Sequence, residues 1–156
     1  MHTQTGMTEK NRSESALALN KLLADEYVLY TKTRNYHWNV EGPNFMELHK
    51  FYEGQFEQLD AIIDEVAERI RALGHYAEGR LKDLVQLASL LEPPYTSDPK
   101  AQLTHLLDDH ETLIRMLRQL IRDFADKYHD IGTSDFATGL MKQHEKMAWM
   151  IRASLS

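Results

Sequence analysis

Apolar residues recur at every third or fourth position in four separate stretches of the chain. The stretches span residues 19–30, 45–70, 103–124 and 136–151. In a helix, this spacing gathers the apolar side chains on one face, which can then pack against neighbouring helices. The pattern therefore predicts an all-α fold in which four amphipathic helices form a bundle.

The start of the first helix is predicted from its serines. Ser13 or Ser15 is expected to cap this helix, because a serine side chain accepts a hydrogen bond from a free N–H group of the first turn. The preceding residues are polar and contain no apolar segment typical of a secretory signal. Residues 1–14 are therefore predicted to form a flexible N-terminal tail, and residues 15–156 to form the bundle domain.

A long crossover is predicted between the second and third helices. Pro43 suits the first position of the second helix, and Gly74 suits the residue that follows its end. A short apolar segment at residues 81–87 predicts an additional short helix within the connection. Asp98 and Pro99 then suit the cap and first position of the third helix. A four-helix bundle with one long crossover is an established topology.

The fourth helix follows a polar corner. Gly132 is predicted to end the preceding helix, because glycine readily adopts the left-handed conformation found at helix ends. Thr133 or Ser134 is then predicted to cap the next helix.

Composition excludes several classes of protein. The chain has 156 residues and 42% hydrophobic residues, enough for one domain with a sizeable core. It contains no cysteine, which excludes disulfides and thiolate metal sites and fits a cytoplasmic protein, with nucleoid association left open. A net charge of −6 argues against a general nucleic-acid binder. No apolar run is long enough to cross a membrane.

Histidine and carboxylate residues form a second stripe along the predicted second helix. This stripe contains His49, Glu53, Asp60, Asp64 and Glu68. An acidic stripe is usually a solvated face, but a histidine opens this one and His37 lies just across the preceding turn. Imidazole and carboxylate ligands together suit iron and zinc. The stripe is therefore a candidate metal site.

Distance along the helix indicates that this site needs two chains. His49 and Asp64 are fifteen residues apart, which corresponds to about 22 Å along a helix. One chain cannot bring both side chains to the same ion. Two copies packed antiparallel about a two-fold axis near residues 56–59 would place His49 of one against Asp64 and Glu68 of the other, in a self-complementary contact.

The chain resembles the Dps family, the mini-ferritins named as DNA-binding proteins from starved cells. The segment HWNVEGPNF, then His49, then DEVAER at residues 64–69 carry this resemblance. It implies a ferritin-like four-helix bundle that forms a hollow shell of twelve subunits. It also implies a ferroxidase that oxidises Fe(II) with hydrogen peroxide or oxygen and stores the ferric product. The implied ligands are His37 and His49 from one subunit and Asp64 and Glu68 from its neighbour.

The same resemblance implies further roles. Glu53 lies where the family more often has an aspartate that holds a second iron, so a two-metal site is possible here, and zinc is an alternative occupant. Trp38 is implied to be a sacrificial or conducting ring, although a tryptophan at a helix end is ordinarily buried. Asp126, Asp130 and Asp135 are similar to the aspartates that line the three-fold pores of a Dps shell, where carboxylates focus cations.

Two alternatives to a ferroxidase remain at this point. One is a nucleoid protein that compacts DNA, and the other is a structural bundle whose acidic stripe is simply solvated. A lysine-rich tail would favour the first and is missing, so DNA binding is predicted to be weak or absent. His110 and His144 lie on apolar faces and are expected to be hydrogen-bonded core residues. The absence of any Glu-x-x-His sequence argues against a di-iron site within the bundle.

Overall fold

The computed structural model describes residues 3–156, so His2 and the start of the predicted tail lie outside it. Within those residues the fold is all-α, as predicted, and a long crossover carrying a short helix joins the second and third long helices. No helix in residues 3–156 has both the length and the apolar character needed to span a bilayer. The helices are α1 (Glu9–Asn39), α2 (Phe45–Ala72), α3 (Leu81–Leu87), α4 (Pro99–Arg122) and α5 (Ile131–Leu155).

Helix α1 begins earlier than the sequence predicted. It starts at Glu9, and the side chain of Thr8 caps it by accepting a hydrogen bond from the N–H of Asn11. The prediction that Ser13 or Ser15 caps the helix is therefore wrong, and the second half of the predicted tail is helical. Arg12 explains the extension, because its buried guanidinium contacts Glu9 and donates to a backbone carbonyl instead of lying free in solvent.

Helix α2 starts two residues after Pro43, so the prediction that Pro43 is its first residue is wrong. Asn44 occupies the position before the helix, and the turn ahead of it contains Gly42 with a φ of 129°. At the other end, Gly74 has a φ of 92° and follows the helix, as predicted. The N–H groups of Gly74 and His75 donate to carbonyls of the last turn, an arrangement that closes many helices.

The crossover is anchored to α1 by two buried charges. The carboxylate of Asp25 accepts hydrogen bonds from the N–H groups of Ser89 and Leu90 at 2.6 and 2.9 Å. The ammonium of Lys32 donates to the carbonyl of Leu91 at 2.6 Å. Because buried charges need partners, these bonds fix the path of the chain from α3 to α4.

The corner before α5 differs from its prediction. A π-helical turn at Asp123–Lys127 extends α4, and Asp130 caps α5 by accepting from the N–H of Thr133 at 3.0 Å. Gly132 lies in the first turn of α5 and does not end a helix, so the predicted caps at Thr133 or Ser134 are wrong. The aspartate occupies the cap because its side chain also bonds the hydroxyl of Thr133 and Arg69 of α2.

The bundle core contains one buried polar chain among its apolar side chains. Nε2 of His144 donates to Oε1 of Glu26 at 2.7 Å, and the Nδ1 atoms of His144 and His110 lie 2.9 Å apart. All three residues are fully buried. The expectation that both histidines are hydrogen-bonded core residues is confirmed. Burial, together with the neighbouring imidazole of His144, holds the pKa of His110 well below its usual range.

Candidate metal centre

The end of α1 and the beginning of α2 bring His37 and His49 into direct contact. The short connection between the helices reverses the chain, so the last turn of α1 packs beside the first turns of α2. The two imidazole rings are stacked, with centroids 3.7 Å apart and planes inclined by 16°. His37 is nearly buried and His49 is half-buried. Two of the four predicted ligands are therefore neighbours in a single chain.

Each histidine is oriented by the backbone of the other. Nδ1 of His37 lies 2.7 Å from the carbonyl oxygen of His49, and Nδ1 of His49 lies 2.8 Å from the carbonyl oxygen of His37. Because a carbonyl can only accept, both Nδ1 atoms carry the proton. When the two rings are neutral, the Nε2 atom of each ring then keeps a free lone pair. A hydrogen bond from the second ring nitrogen is the usual way in which proteins orient metal-binding histidines.

Aromatic side chains enclose this histidine pair. Phe45 stacks on His49 with the ring centroids 5.1 Å apart, and the edge of Phe56 meets His37 at 5.1 Å. These rings limit the access of water and help to fix the imidazole planes. Both histidine rings of the candidate site are therefore packed against aromatic side chains.

The side chain of Trp38 lies at the protein surface. Its side chain is 62% exposed, so the expectation that it is buried at the helix end is wrong. The guanidinium of Arg34 lies 5.0 Å from the Trp38 ring and 5.2 Å from the ring of Phe56. Arg34 therefore holds the exposed indole against the same helix face that carries His37.

Glu53 lies close to the histidine pair but already has a partner. Its carboxylate accepts a hydrogen bond from the ammonium of Lys50 at 2.7 Å. This bond is the main reason that the pKa of the Glu53 carboxyl lies below its ordinary value, and His37 and His49 lower it further. An ion bound at Glu53 would therefore compete with Lys50 for the carboxylate.

The two remaining predicted ligands lie at the opposite end of α2. Asp64 and Glu68 are both exposed and stand one turn apart on the same face. Helix α2 is continuous from Phe45 to Ala72, so about 22 Å of helix separates His49 from Asp64. Within residues 3–156, no group of three or more histidine, aspartate and glutamate side chains converges on a possible ion position. A single chain thus presents the nitrogen ligands and the carboxylates on separate surfaces.

The three aspartates predicted to line a pore have different environments. Asp126 and Asp135 are exposed near the corner between α4 and α5. Asp130 is only 2% exposed and is bonded to Thr133 and to Arg69. In the single chain, Asp130 therefore supports the corner, and only the other two carboxylates face solvent.

Several residues near the site were not singled out in the sequence. Tyr36 is buried beside His37, and its hydroxyl oxygen lies 2.7 Å from Nδ1 of His105. Tyr52, the neighbour of Glu53, is also buried and packs against Tyr36 with ring centroids 6.4 Å apart. Burial raises the pKa of Tyr36 to about 12 and raises that of Tyr52 well above its ordinary value. Tyr52 lies on the apolar stripe of the second helix, and the sequence carried no signal for the pairing of Tyr36 with His105.

Comparison with known proteins agrees with this architecture. A family model described as a ferritin-like domain matches residues 16–156. An uncharacterised low temperature-induced protein of Nostoc is 44% identical over 151 residues, which cover 95% of this chain and 83% of the relative. A DNA protection during starvation protein of Bacillus anthracis is 36% identical over 138 residues, covering 88% of this chain and 94% of the relative.

Solved structures give the same result. The Dps protein of Vibrio cholerae superposes with a TM-score of 0.92 at 32% identity and covers 100% of this chain and 98% of its own. DpsC of Streptomyces coelicolor superposes with a TM-score of 0.95 at 27% identity. It covers 100% of this chain and 91% of its own. The chain therefore belongs to the ferritin-like family and, within that family, to the Dps proteins.

Proposed function

We propose that this protein is a ferroxidase that oxidises Fe(II) with hydrogen peroxide at sites shared between two subunits. The observation that carries the proposal is the division of the ligands. His37 and His49 present free Nε2 lone pairs at one end of α2, while Asp64 and Glu68 lie exposed about 22 Å away. A second copy related by a two-fold axis would supply the missing half to each site.

Each half has a separate chemical task. The imidazoles of His37 and His49 bind Fe(II) through nitrogen and are held in place by their Nδ1 bonds. The partner's carboxylates, those of Asp64 and Glu68, supply hard oxygen ligands that favour Fe(III) as it forms. Positions that the protein leaves open admit the oxidant. Peroxide is consumed as an electron acceptor, which limits its release of hydroxyl radicals.

The assembly and its cargo complete the proposal. Twelve subunits form a closed shell in the cytoplasm, Asp126 and Asp135 help cations to pass through its pores, and ferric oxide collects inside. Oxygen is the alternative oxidant, and zinc can occupy the same ligands. The family membership of the chain supports the proposed shell, and the exposure of Asp126 and Asp135 supports their role in its pores.

Mixed assemblies of two inactive variants test the shared site. The first variant carries His37→Asn and His49→Asn, because the asparagine amide can keep the hydrogen bond made by Nδ1 while the Nε2 ligand is lost. The second carries Asp64→Ala and Glu68→Ala, which removes only exposed side chains. Each variant alone should lack peroxide-dependent iron oxidation. Random mixing makes half of the two-fold pairs mixed, and each mixed pair contains one intact site, so about a quarter of wild-type activity should return.

The controls are each variant unfolded and refolded alone, and the two variants mixed without unfolding. Distinct affinity tags on the two variants would prove that mixed assemblies have formed. If tagged mixed assemblies form and show no iron oxidation, the site is not shared and the proposal fails.

A further inference from the structure

Arg34 is a half-buried cation on the face of α1 that carries the proposed ligand His37, one turn away. Its guanidinium carbon lies 5.7 Å from the ring centroid of Tyr30, 5.0 Å from that of Trp38 and 5.2 Å from that of Phe56. Nη1 donates to the hydroxyl of Tyr30 at 2.9 Å, whereas Nε is buried without an acceptor among residues 3–156. Three rings and one hydrogen bond thus hold this guanidinium between α1 and α2.

Asp60 of α2 is an anion that the proposed iron site leaves without a role. It lies in the stripe that carries His49 and Asp64, and its side chain is exposed. Phe56, which lies against the guanidinium of Arg34, is one turn away on the same face of the helix. Neither Asp60 nor Arg34 has an ion-pair partner among residues 3–156. This face therefore carries a fixed cation and an anion that are not paired within the single chain.

The two-fold axis of the proposed shared site brings these two charges together. A rotation about residue n of α2 places residue 60 of one chain opposite residue 2n − 60 of the other. For an axis near residues 56–59, Asp60 of the partner subunit lies opposite residues 52–58. Phe56 falls within that range, and the guanidinium of Arg34 lies against its ring. The symmetry repeats the contact, so each two-fold pair of subunits contains it twice.

We propose that Arg34 forms an ion pair with Asp60 of the partner subunit, and that two such pairs fix the register of the shared metal site. The inference rests on the proposed function and adds the contacts that build its two-fold interface. Arginine suits this task because its planar guanidinium can bind a carboxylate through two parallel hydrogen bonds. Complementary charges at an interface also select the correct orientation of the two partners.

Without Arg34, the same axis would bring two negative charges together. An axis near residues 56–59 places the two Asp60 residues about 3 to 12 Å apart along the helix direction, since each residue rises about 1.5 Å. The two guanidiniums offset this repulsion. A slip of one helical turn would displace both ion pairs by about 5.4 Å and would move His49 equally far along the partner's carboxylates. The ion pairs therefore penalise a register in which the metal site is incomplete.

Charge reversal tests the pair across the interface. Arg34→Glu makes both positions negative, and Asp60→Arg makes both positions positive. Each variant alone therefore has two repulsive contacts in its own two-fold pair. In a pair formed by one chain of each variant, both contacts are attractive, because a glutamate faces an arginine at one and the native residues face each other at the other. Mixing would not restore a contact that forms within one chain.

A cysteine placed near the axis reports the two-fold contact directly. The natural chain has no cysteine, so Glu57→Cys, introduced into wild type and both variants, can form a disulfide only with another subunit. Each charge-reversed variant alone should give at least about tenfold less disulfide-linked dimer than wild type, and the equimolar mixture should return to within about threefold of it. Sedimentation velocity and peroxide-dependent iron oxidation, measured on the same variants without the cysteine, should follow the disulfide yield.

Two controls separate the ion pair from general effects. Glu65→Arg makes the same change of charge at an exposed residue outside the stripe and should associate like wild type. The neutral variants Arg34→Gln and Asp60→Asn cover the case in which circular dichroism shows that Arg34→Glu does not fold. Each neutral variant should weaken association at least about threefold. Their combination should be no weaker than either alone, because the same pair is lost in all three.

The outcomes distinguish this inference from the proposed function. If a charge-reversed variant alone associates like wild type, or if the two folded variants do not associate on mixing, the ion pair does not form and the ferroxidase proposal stands. Additive effects of the two neutral substitutions would also overturn the ion pair. If mixing restores the two-fold contact but wild type oxidises no iron, the ion pair stands and the ferroxidase proposal fails. If wild type forms no two-fold contact, both proposals fail.

Discussion

Replacing Asp130 with alanine should destabilise the protein, whereas the same change at Asp126 or Asp135 should not. The carboxylate of Asp130 accepts hydrogen bonds from the N–H and hydroxyl of Thr133 at 3.0 and 2.5 Å, and from the guanidinium of Arg69 at 3.2 Å. The other two aspartates are exposed. The three carboxylates that looked equivalent in the sequence therefore separate into one structural residue and two surface residues.

The expected loss in the free energy of unfolding of Asp130→Ala follows from the contacts that the substitution removes. Removing an aspartate cap costs about 1 kcal/mol, and losing a hydrogen bond to a charged group costs about 1.5 to 3 kcal/mol. Arg69 is 29% exposed and regains some hydration, so the lower part of this range applies. The free energy of unfolding should fall by about 2.5 kcal/mol, which corresponds to a Tm about 5 to 10 °C lower in a domain of this size.

Thermal and urea unfolding of the three alanine variants would measure this difference. Protein concentration must be fixed, because the proposed assembly would stabilise the folded subunits. Asp130→Asn is the matched control, since it keeps an oxygen that can cap the helix and should recover about half of the loss. An Asp130→Ala variant within about 0.5 kcal/mol of wild type would refute the structural role, as would a comparable loss of stability in Asp126→Ala.

Three further results are expected. The Asp64→Ala and Glu68→Ala double variant should unfold like wild type because both side chains are exposed, yet its peroxide-dependent iron oxidation should fall at least about tenfold. Plasmid DNA should not be retarded in a gel at physiological salt without divalent metal, because the net charge is −6 per chain, and retardation there would contradict this expectation. The folded state keeps the pKa of His110 well below 6.5 and the unfolded state does not, so below pH 6.5 the unfolded chain binds more protons. Urea unfolding should therefore show stability falling as the pH drops below 6.5, with the contribution of His110 approaching about 1.4 kcal/mol per pH unit, and this slope should weaken in His110→Gln.

Features set by neighbouring residues were predictable from the sequence. The short helix at Leu81–Leu87, the start of α4 at Asp98 and Pro99, and the glycine after α2 all occur where they were expected. A cap or a left-handed glycine acts on the adjacent turn, so the local sequence contains the needed information.

Predictions failed where two nearby signals compete. Thr8 and Ser13 are both suitable caps, and the longer helix forms because Arg12 finds partners in the first turn. Pro43 and Asn44 both suit a helix start, and the turn that contains Gly42 delays α2 until after Asn44. Propensity alone does not decide between such alternatives.

Contacts between segments that are distant in the chain could not be predicted from the sequence. Glu26 continues the stripe through Leu19, Leu22 and Leu23, but nothing nearby indicates that its partner is His144, 118 residues away. Tyr36 and His105 are separated by 69 residues in the same way. The proposed pairing of one chain's histidines with another chain's carboxylates would depend on assembly, and in the sequence it rests on the length of α2.

The crossed bonds of His37 and His49 also bear on the free energy of ion binding. In a flexible site, ordering each ligand side chain on binding costs about 0.5 to 1.5 kcal/mol of conformational entropy. Here the fold itself has already selected the rotamer and the tautomer of both rings. For two side chains, this selection corresponds to a gain in affinity of about 5-fold to 150-fold. A substitution at either histidine leaves the backbone carbonyl that orients the other ring but removes the ring that stacks on it, so the two positions should be coupled in double-mutant cycles.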